Sequence, residues 1–394
     1  MAGRHVVTLN AGSSSLKFAV FDVGGAVPEA LASGSAETSG GQARIKARDP
    51  AGAAMTEQAW DVAGDFQDAA LERVLAWSES AFPGAEVAGV GHRVVHGGPR
   101  HDAPALVTDA VLADLRTLIP LAPLHEPHNI AGIEAARRAW PAAAQVACFD
   151  TAFHRGHPFV NDTYGLPRAL HDEGVRRYGF HGLSYEYVSG ELRRAAPALA
   201  SGRVAMAHLG GGASMCAMRD GRSVASTMGF TPLDGLPMNT RCGQLDPGAV
   251  LYLLQTKRMS ADAVADLLYH ASGMAGMSGL SGDMRELEAS DAEPAHEALD
   301  YFVARVRQEL GGLAAVLEGL DMVVFCGGVG ENSATVRART MERLEWLGVQ
   351  LDAEANRAGS PVISARGSRV EVRIVKTDEE AMIARHTADL IGPT

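Results

Sequence analysis

Three short runs of small residues, each beside an apolar stretch, have the composition to hold an anion. LNAGSSSLKFAV (9–20) sets an asparagine, a glycine and three serines between strand-like flanks. HLGGGAS (208–214) puts three glycines in the same kind of place, and FCGGVGENS (325–333) runs from a buried-looking strand into a helix. Backbone N–H groups in such turns and at helix starts can face phosphates. Taken alone, the serine turn either hydrogen-bonds to itself or faces an anion. The third run is neither a Walker A, since no GK[ST] follows, nor a GxGxxG fingerprint. Together the three point to a nucleotide cleft. Asp150 follows the apolar VACF (146–149), where strand-end acids commonly enter an active site. The net charge of −12, from 35 basic and 47 acidic residues, argues against nucleic acid or a membrane surface as partner. An anionic substrate must then be met by a few local arginines.

The elements that position these residues alternate between strand-like and helix-like, which predicts α/β layers. At 394 residues the chain has room for two domains. Apolar periodicity predicts helices over 66–81, 108–119, 130–140, 260–271, 295–318 and 333–347, and strands at 6–9, 16–23, 146–149, 323–326 and 370–375. Residues 33–55, rich in Gly, Ala and Ser, read as a surface excursion with weak strands. The plan of VVTLNAGSSSLKFAVFDVG returns in VAMAHLGGGASMCAMRDG (204–221). At an offset of 198, Gly12 matches Gly210, Leu16 matches Ser214 and Asp22 matches Asp220, which predicts a duplicated domain with its two loops facing across a cleft. In TDEEAMIARHTADLI (377–391), Thr377 as N-cap and Glu380 at N3 form a capping box, leaving Glu379 free for other work. Cys148, Cys216, Cys242 and Cys326 follow no metal or disulfide spacing and read as reduced thiols. No apolar run is long enough to span a bilayer and no secretory signal is evident, so the cytoplasm is expected.

NAGSSSLKF (10–18), GHRVVHGG (91–98), LAPLH (121–125), FDTAFH (149–154), YGFHG (178–182), HLGGGAS (208–214), TRCG (240–243), LDP (245–247), GGVGENS (327–333) and TDEE (377–380) together resemble the acetate kinase family. They occur in order over nearly the whole chain. The resemblance implies two duplicated RNase H-like domains of the actin and hexokinase type around a nucleotide cleft. One comprises residues 1–150, completed by the C-terminal helix at about 379–394, and the other residues 151–378. It also implies a homodimer and the reaction of ATP with acetate to give ADP and acetyl phosphate, with Mg²⁺ or Mn²⁺.

The chemistry is consistent with these residues. A carboxylate is already ionised at neutral pH and needs no general base, so the requirement is charge compensation between two anions. Arginine meets it with fixed, bidentate geometry. By that argument Asp150 orients an arginine or the metal shell. The resemblance places Arg93 and Arg241 at the point of contact and makes His181 a donor to the transferring phosphoryl group, with His125 and His208 nearby. It makes Asn10 a phosphate or Mg²⁺-shell ligand and Glu379 the metal-associated carboxylate. Val95, Leu124, Phe180 and Pro232 are nominated for the acyl pocket. Lys17, His208, Leu209, Gly210, Gly211 and Gly212 are nominated for the ATP phosphates. Asp283, Met284 and Arg285 are nominated near the nucleoside, with Gly328, Val329, Gly330, Glu331 and Asn332 on the adenosine side. Gly211 stands where the family usually has asparagine, Asn239 where glycine is usual, and Gln244 where an acid is usual. Propionate or butyrate as acceptor, a hydroxyl-directed kinase of the same superfamily and an ATP-gated binding module are the alternatives.

Overall fold

The computed structural model describes residues 3–12, 14–39, 41–62 and 64–392. Ser13 of the opening serine turn lies outside the described residues. The chain divides into two compact units, Met1–Ala152 with Asp378–Thr394, and Phe153–Thr377.

The first unit is built on an eight-stranded sheet of β1 (Arg4–Ala11), β2 (Ser15–Asp22), β3 (Glu29–Ser39), β4 (Gln42–Arg48), β5 (Ala54–Asp61), β6 (Glu86–Val94), β7 (Ala105–Leu106) and β8 (Ala144–Phe149). Its spatial order is β5-β4-β3-β2-β1-β6-β8-β7. The second unit carries β9 (Arg203–Leu209), β10 (Ala213–Arg219), β11 (Arg222–Ser226), β12 (Met322–Cys326) and β13 (Glu371–Ile374), in the order β11-β10-β9-β12-β13. Both sheets share one plan, third-second-first-fourth-fifth. The first three strands are antiparallel neighbours, and the last two run parallel to the first. This is the α/β architecture, repeated, that the family resemblance implies.

Residues 33–55 are a correction. They are not a loose excursion: β3, β4 and β5 form an antiparallel meander that extends the first sheet. Ala36, Ala43, Ile45 and Ala47 alternate inward and join Trp60 and Trp77 in one core. The repeat of the hairpins is also one residue less regular than expected. Asn10 pairs with Lys17 and Ala11 with Leu16, whereas His208 pairs with Ser214 and Leu209 with Ala213. The first strands therefore keep the 198 offset, while the second strands follow at 197 because the glycine turn is one residue shorter. Leu16 corresponds to Ala213, and Asp22 to Arg219.

Helix ends shift where side chains cap them. Thr108, Ser260 and Ser333 are N-caps, accepting from the backbone N–H of Val111, Ala263 and Val336. The helix expected from residue 130 begins at Glu126, with Pro127 tolerated in the first turn. The helix expected to reach 347 stops at Met341, two residues before Arg343 takes a left-handed φ of 65°. The last helix, Glu379–Ile391, is capped by Asp378, whose carboxylate accepts from Ala381 N–H at 2.8 Å. The Thr377–Glu380 capping box is not formed, and Thr377 Oγ1 instead hydrogen-bonds Ser184 Oγ at 2.7 Å.

Candidate active site

The ends of three adjacent parallel strands bring the acidic and basic groups of the first unit together. Leu9 of β1 lies beside His92 of β6, and Arg93 beside Cys148 of β8, so Asn10, Arg93 and Asp150 emerge at one sheet edge. The C-terminal helix crosses the face of β6 that carries Arg93. It comes so close that a Cβ at Gly91 would lie 2.3 Å from Thr387 Oγ1 and 2.5 Å from Ile383 Cγ2. Glycine at 89 and 91 is what lets that helix seat. Seating it places Glu379, in its first turn, 3.7 Å from Arg93 Nε.

Arg93 donates to Asp150 through Nε (3.2 and 3.1 Å) and Nη2 (2.7 Å). Asp150 is 1% exposed, and its backbone N–H is held by Val94 O at 3.0 Å. Burial pushes the Asp150 carboxyl up to about 6, against the pull of Arg93 and with a further push from Glu379. It is ionised at neutral pH. Burial opposes the charge on Arg93, yet Asp150 and Glu379 outweigh it and hold the guanidinium pKa above its usual value. Glu379 and Asn10 are both half-buried, and each carries a hard oxygen donor of the kind Mg²⁺ accepts. Lys17, exposed on β2, stands opposite Asn10.

Around this edge the loop 95–98 is fixed by buried polar groups. Val95 N–H donates to Asn129 Oδ1, and Gly97 N–H to Thr151 Oγ1, both at 3.0 Å. His125, half-buried, is the residue before the Glu126 helix. Leu124 is exposed.

Glu126 is a group that the motifs did not single out. It is fully buried, with no side-chain hydrogen-bond partner for either carboxylate oxygen among the described residues. Burial pushes its pKa up to about 8, only partly offset by the His96 backbone. A carboxyl whose pKa is higher folded than unfolded stabilises the fold as its neutral form, fully so below about 4.5. That stability is lost as pH rises through about 8. Glu126→Gln, which stays neutral, is expected to melt close to wild type at pH 4.5. At pH 8.5 it should be more stable by a few kcal/mol at most, one pKa unit being about 1.4 kcal/mol. Thermal melts at the two pH values check this, and equal shifts at both would remove the buried-charge explanation.

In the second unit the glycine turn 210–212 links β9 and β10, and His181 is aimed at it. His181 precedes the helix Gly182–Ala195 with a left-handed φ of 58°. Its Nδ1 meets Ser214 Oγ at 2.8 Å, and its ring stacks on His208 at 4.3 Å. Its Nε2 lies 3.0 Å from where a Cβ on Gly212 would be. His208 Nδ1 is held by Ser184 Oγ at 2.8 Å. Arg241 donates to Pro232 O at 3.0 Å. Phe180 and Pro232 are buried in this unit, whereas Val95 and Leu124 belong to the first.

Beside the glycine turn opens a cavity of about 500 Å³. Of the expected nucleotide residues, Gly210, Gly211, Asp283, Met284, Arg285, Gly328, Val329 and Asn332 line it. Leu209 is buried, and Glu331 is turned away: its Oε1 accepts from Gly327 N–H and Thr377 N–H, each at 3.0 Å. Gly330 is buried behind it. Asp283 caps the helix Met284–Glu288, and the hydrogen bonds it receives from Arg285 bring its pKa down to about 2. Asn239, Glu288 and Ser333 line the cavity without having been expected there, and Ser333 Oγ donates to Glu288 Oε1. Gln244 lies apart from the wall and accepts from Arg305.

Residues 5–385 match the model of the acetokinase family. An acetate kinase of Methylocella silvestris is 62% identical over 98% of each chain. Among solved structures, an acetate kinase of Porphyromonas gingivalis superposes with a TM-score of 0.88 at 34% identity, over 99% of this chain and 100% of that one. A propionate kinase of Francisella tularensis gives 0.90 at 32%, over 98% and 99%.

Proposed function

The chain belongs to the acetokinase family, a family of kinases, and we propose that this short-chain carboxylate kinase takes acetate as its acceptor. In the proposed reaction a carboxylate oxygen of acetate attacks the γ-phosphorus of ATP in line. The bond to the β–γ bridging oxygen breaks, and ADP and acetyl phosphate leave. Mg²⁺, held by Glu379 and Asn10 with the nucleotide phosphates, would neutralise phosphate charge.

The observation that carries this reading is the Arg93–Asp150–Glu379 group. Arg93 spends Nε and Nη2 on Asp150 and keeps Nη1 without a hydrogen bond among the described residues, an orientation suited to a carboxylate. Acetate arrives ionised and asks for no base. A hydroxyl acceptor would need one, and Asp150, the nearest acid, already accepts from Arg93 at both oxygens. In the second unit Arg241 and His181 are assigned to the transferring phosphoryl group, and the 500 Å³ cavity to the nucleotide. Val95, Leu124, Phe180 and Pro232 are assigned to the acyl end.

A homodimer is part of the proposal. The helix Pro247–Gln255, PGAVLYLLQ, is apolar yet has no buried residue, with Leu251 and Tyr252 each about half exposed. No helix among the described residues is long and apolar enough to cross a membrane, and the four free cysteines suit the cytoplasm.

The test is Mg²⁺- and ATP-dependent acyl phosphate formation, trapped as hydroxamate, with acetate, propionate and butyrate in parallel. Acetate is expected to lead and propionate to follow by about 10-fold or more, one methylene being worth about 1–3 kcal/mol. Product from no acid, with ATP consumed on a hydroxyl acceptor, would overturn the reading. The same preparation should sediment at twice 41.3 kDa.

A further inference from the structure

The glycine turn that faces the cavity has a carboxamide laid over it from another part of the second unit. Asn239 Nδ2 lies 3.5 Å, and Cγ 3.9 Å, from the point a Cβ on Gly211 would occupy. Gly211 does not have a left-handed φ, so its backbone would accept a side chain. The amide of Asn239 stands in van der Waals contact with the point where that side chain would start.

The backbone of Asn239 is fixed on three sides. Its N–H donates to Gly211 O at 3.3 Å, and its carbonyl accepts from Ala275 N–H at 2.9 Å. Gly282 packs so closely against it that a Cβ there would meet Asn239 O at 2.7 Å. The side-chain amide makes no hydrogen bond within the chain among the described residues, and it lines the cavity together with Gly210, Gly211 and Gly328. A polar group held rigidly in a pocket wall and left without an internal partner is suited to a ligand. The wall it joins is made of glycine turns, whose N–H groups suit phosphate oxygens.

We propose that Asn239 is a specificity-determining residue of the nucleotide site, donating from Nδ2 to the β-phosphate end of the bound nucleotide and standing in for a side chain at position 211. The proposal rests on the assignment of the cavity to a nucleotide. It predicts that Asn239 distinguishes nucleotides by their phosphates and contributes little to adenosine.

Calorimetric titration of ADP and of adenosine into wild type, Asn239→Ala, Asn239→Asp and the exchange variant Gly211→Asn with Asn239→Gly is the test. Loss of a hydrogen bond to a charged oxygen should weaken ADP about tenfold in Asn239→Ala, with adenosine changed less than about twofold. Asn239→Asp, which sets a carboxylate against phosphate, should bind ADP more weakly still, and the exchange variant should recover most of the loss. ADP binding unchanged in both single variants, or adenosine weakened as much as ADP, would overturn the phosphate contact. An exchange variant no better than Asn239→Ala would overturn the substitution for position 211. Failure of wild type to bind ADP at all would instead remove the nucleotide assignment on which the proposal stands.

Discussion

Arg93→Ala is expected to lower kcat/KM for acetate by about 10³-fold or more, the loss that follows when a preorganised charge facing the transition state is removed. In the proposed reaction two anions approach within bonding distance, and Arg93 is the cation assigned to them, paired with Asp150 and with Glu379 beside it. The same change leaves Asp150 buried without its partner, which costs about 3–5 kcal/mol in its own right. A dead variant could then be merely an unfolded one. Pairing Arg93→Ala with Asp150→Asn removes the orphaned charge, and this double variant should melt nearer to wild type while staying inactive. Arg93→Lys keeps the charge and loses the fork, so an intermediate activity is expected. Hydroxamate formation and a thermal melt on each variant decide the matter. A folded double variant with near-normal turnover would exclude Arg93 from the reaction. In wild type, protonation of Asp150 near pH 6 loosens its hold on Arg93, so kcat/KM should fall on the acid side with an apparent pKa in that region.

What the sequence made legible was the placement of groups marked by local signals. Asp150 was readable because an acid directly after an apolar strand has few other reasons to be there. The glycine turns were readable because small residues between apolar runs report their own backbone. The edge of the first sheet was not readable in this way. In β3 and β4 the inward positions other than Ile45 are alanines, as with Ala36, Ala43 and Ala47, so burial leaves little hydrophobic contrast between the faces. The register of the second hairpin depends on a turn shorter by one residue, and a sequence offset cannot see which residues pair. Asp378 and Thr377 are both good N-caps, and the choice between them was made by Ser184, 193 residues away, which takes the threonine hydroxyl. Glu126 was silent for the same reason, since a buried acid acquires meaning only from what surrounds it in three dimensions, and Asn239 stood out only as a departure from the family's usual glycine.

His181→Asn is expected to reduce kcat by about 10²–10³-fold while changing the affinity for ADP little. The hydrogen-bond network supports the assignment of one ring proton. Burial pushes the Tyr185 phenol pKa well above its usual value, so its hydroxyl keeps its proton and is able to donate to Ser214 Oγ, 2.6 Å away. With Tyr185 as donor, Ser214 is left to donate to His181 Nδ1, and Nε2 is then the N–H end of the ring, pointing at the glycine turn. In the proposed reaction a donor so placed would serve the phosphoryl oxygens and not the adenosine, which is why the loss should fall on kcat. Asparagine is the substitution of choice because it tolerates the left-handed backbone at 181, whereas alanine would add strain to the loss of the imidazole. Its amide is too short to reach where Nε2 stands. Ser214→Ala isolates positioning from contact: with nothing donating to Nδ1, the ring is free to carry its proton there. A smaller loss, about tenfold, is expected from that change. Steady-state kinetics and ADP titration on the two variants separate the outcomes. A His181→Asn enzyme that loses ADP affinity and keeps kcat would make the imidazole a wall of the nucleotide site, with no part in transfer.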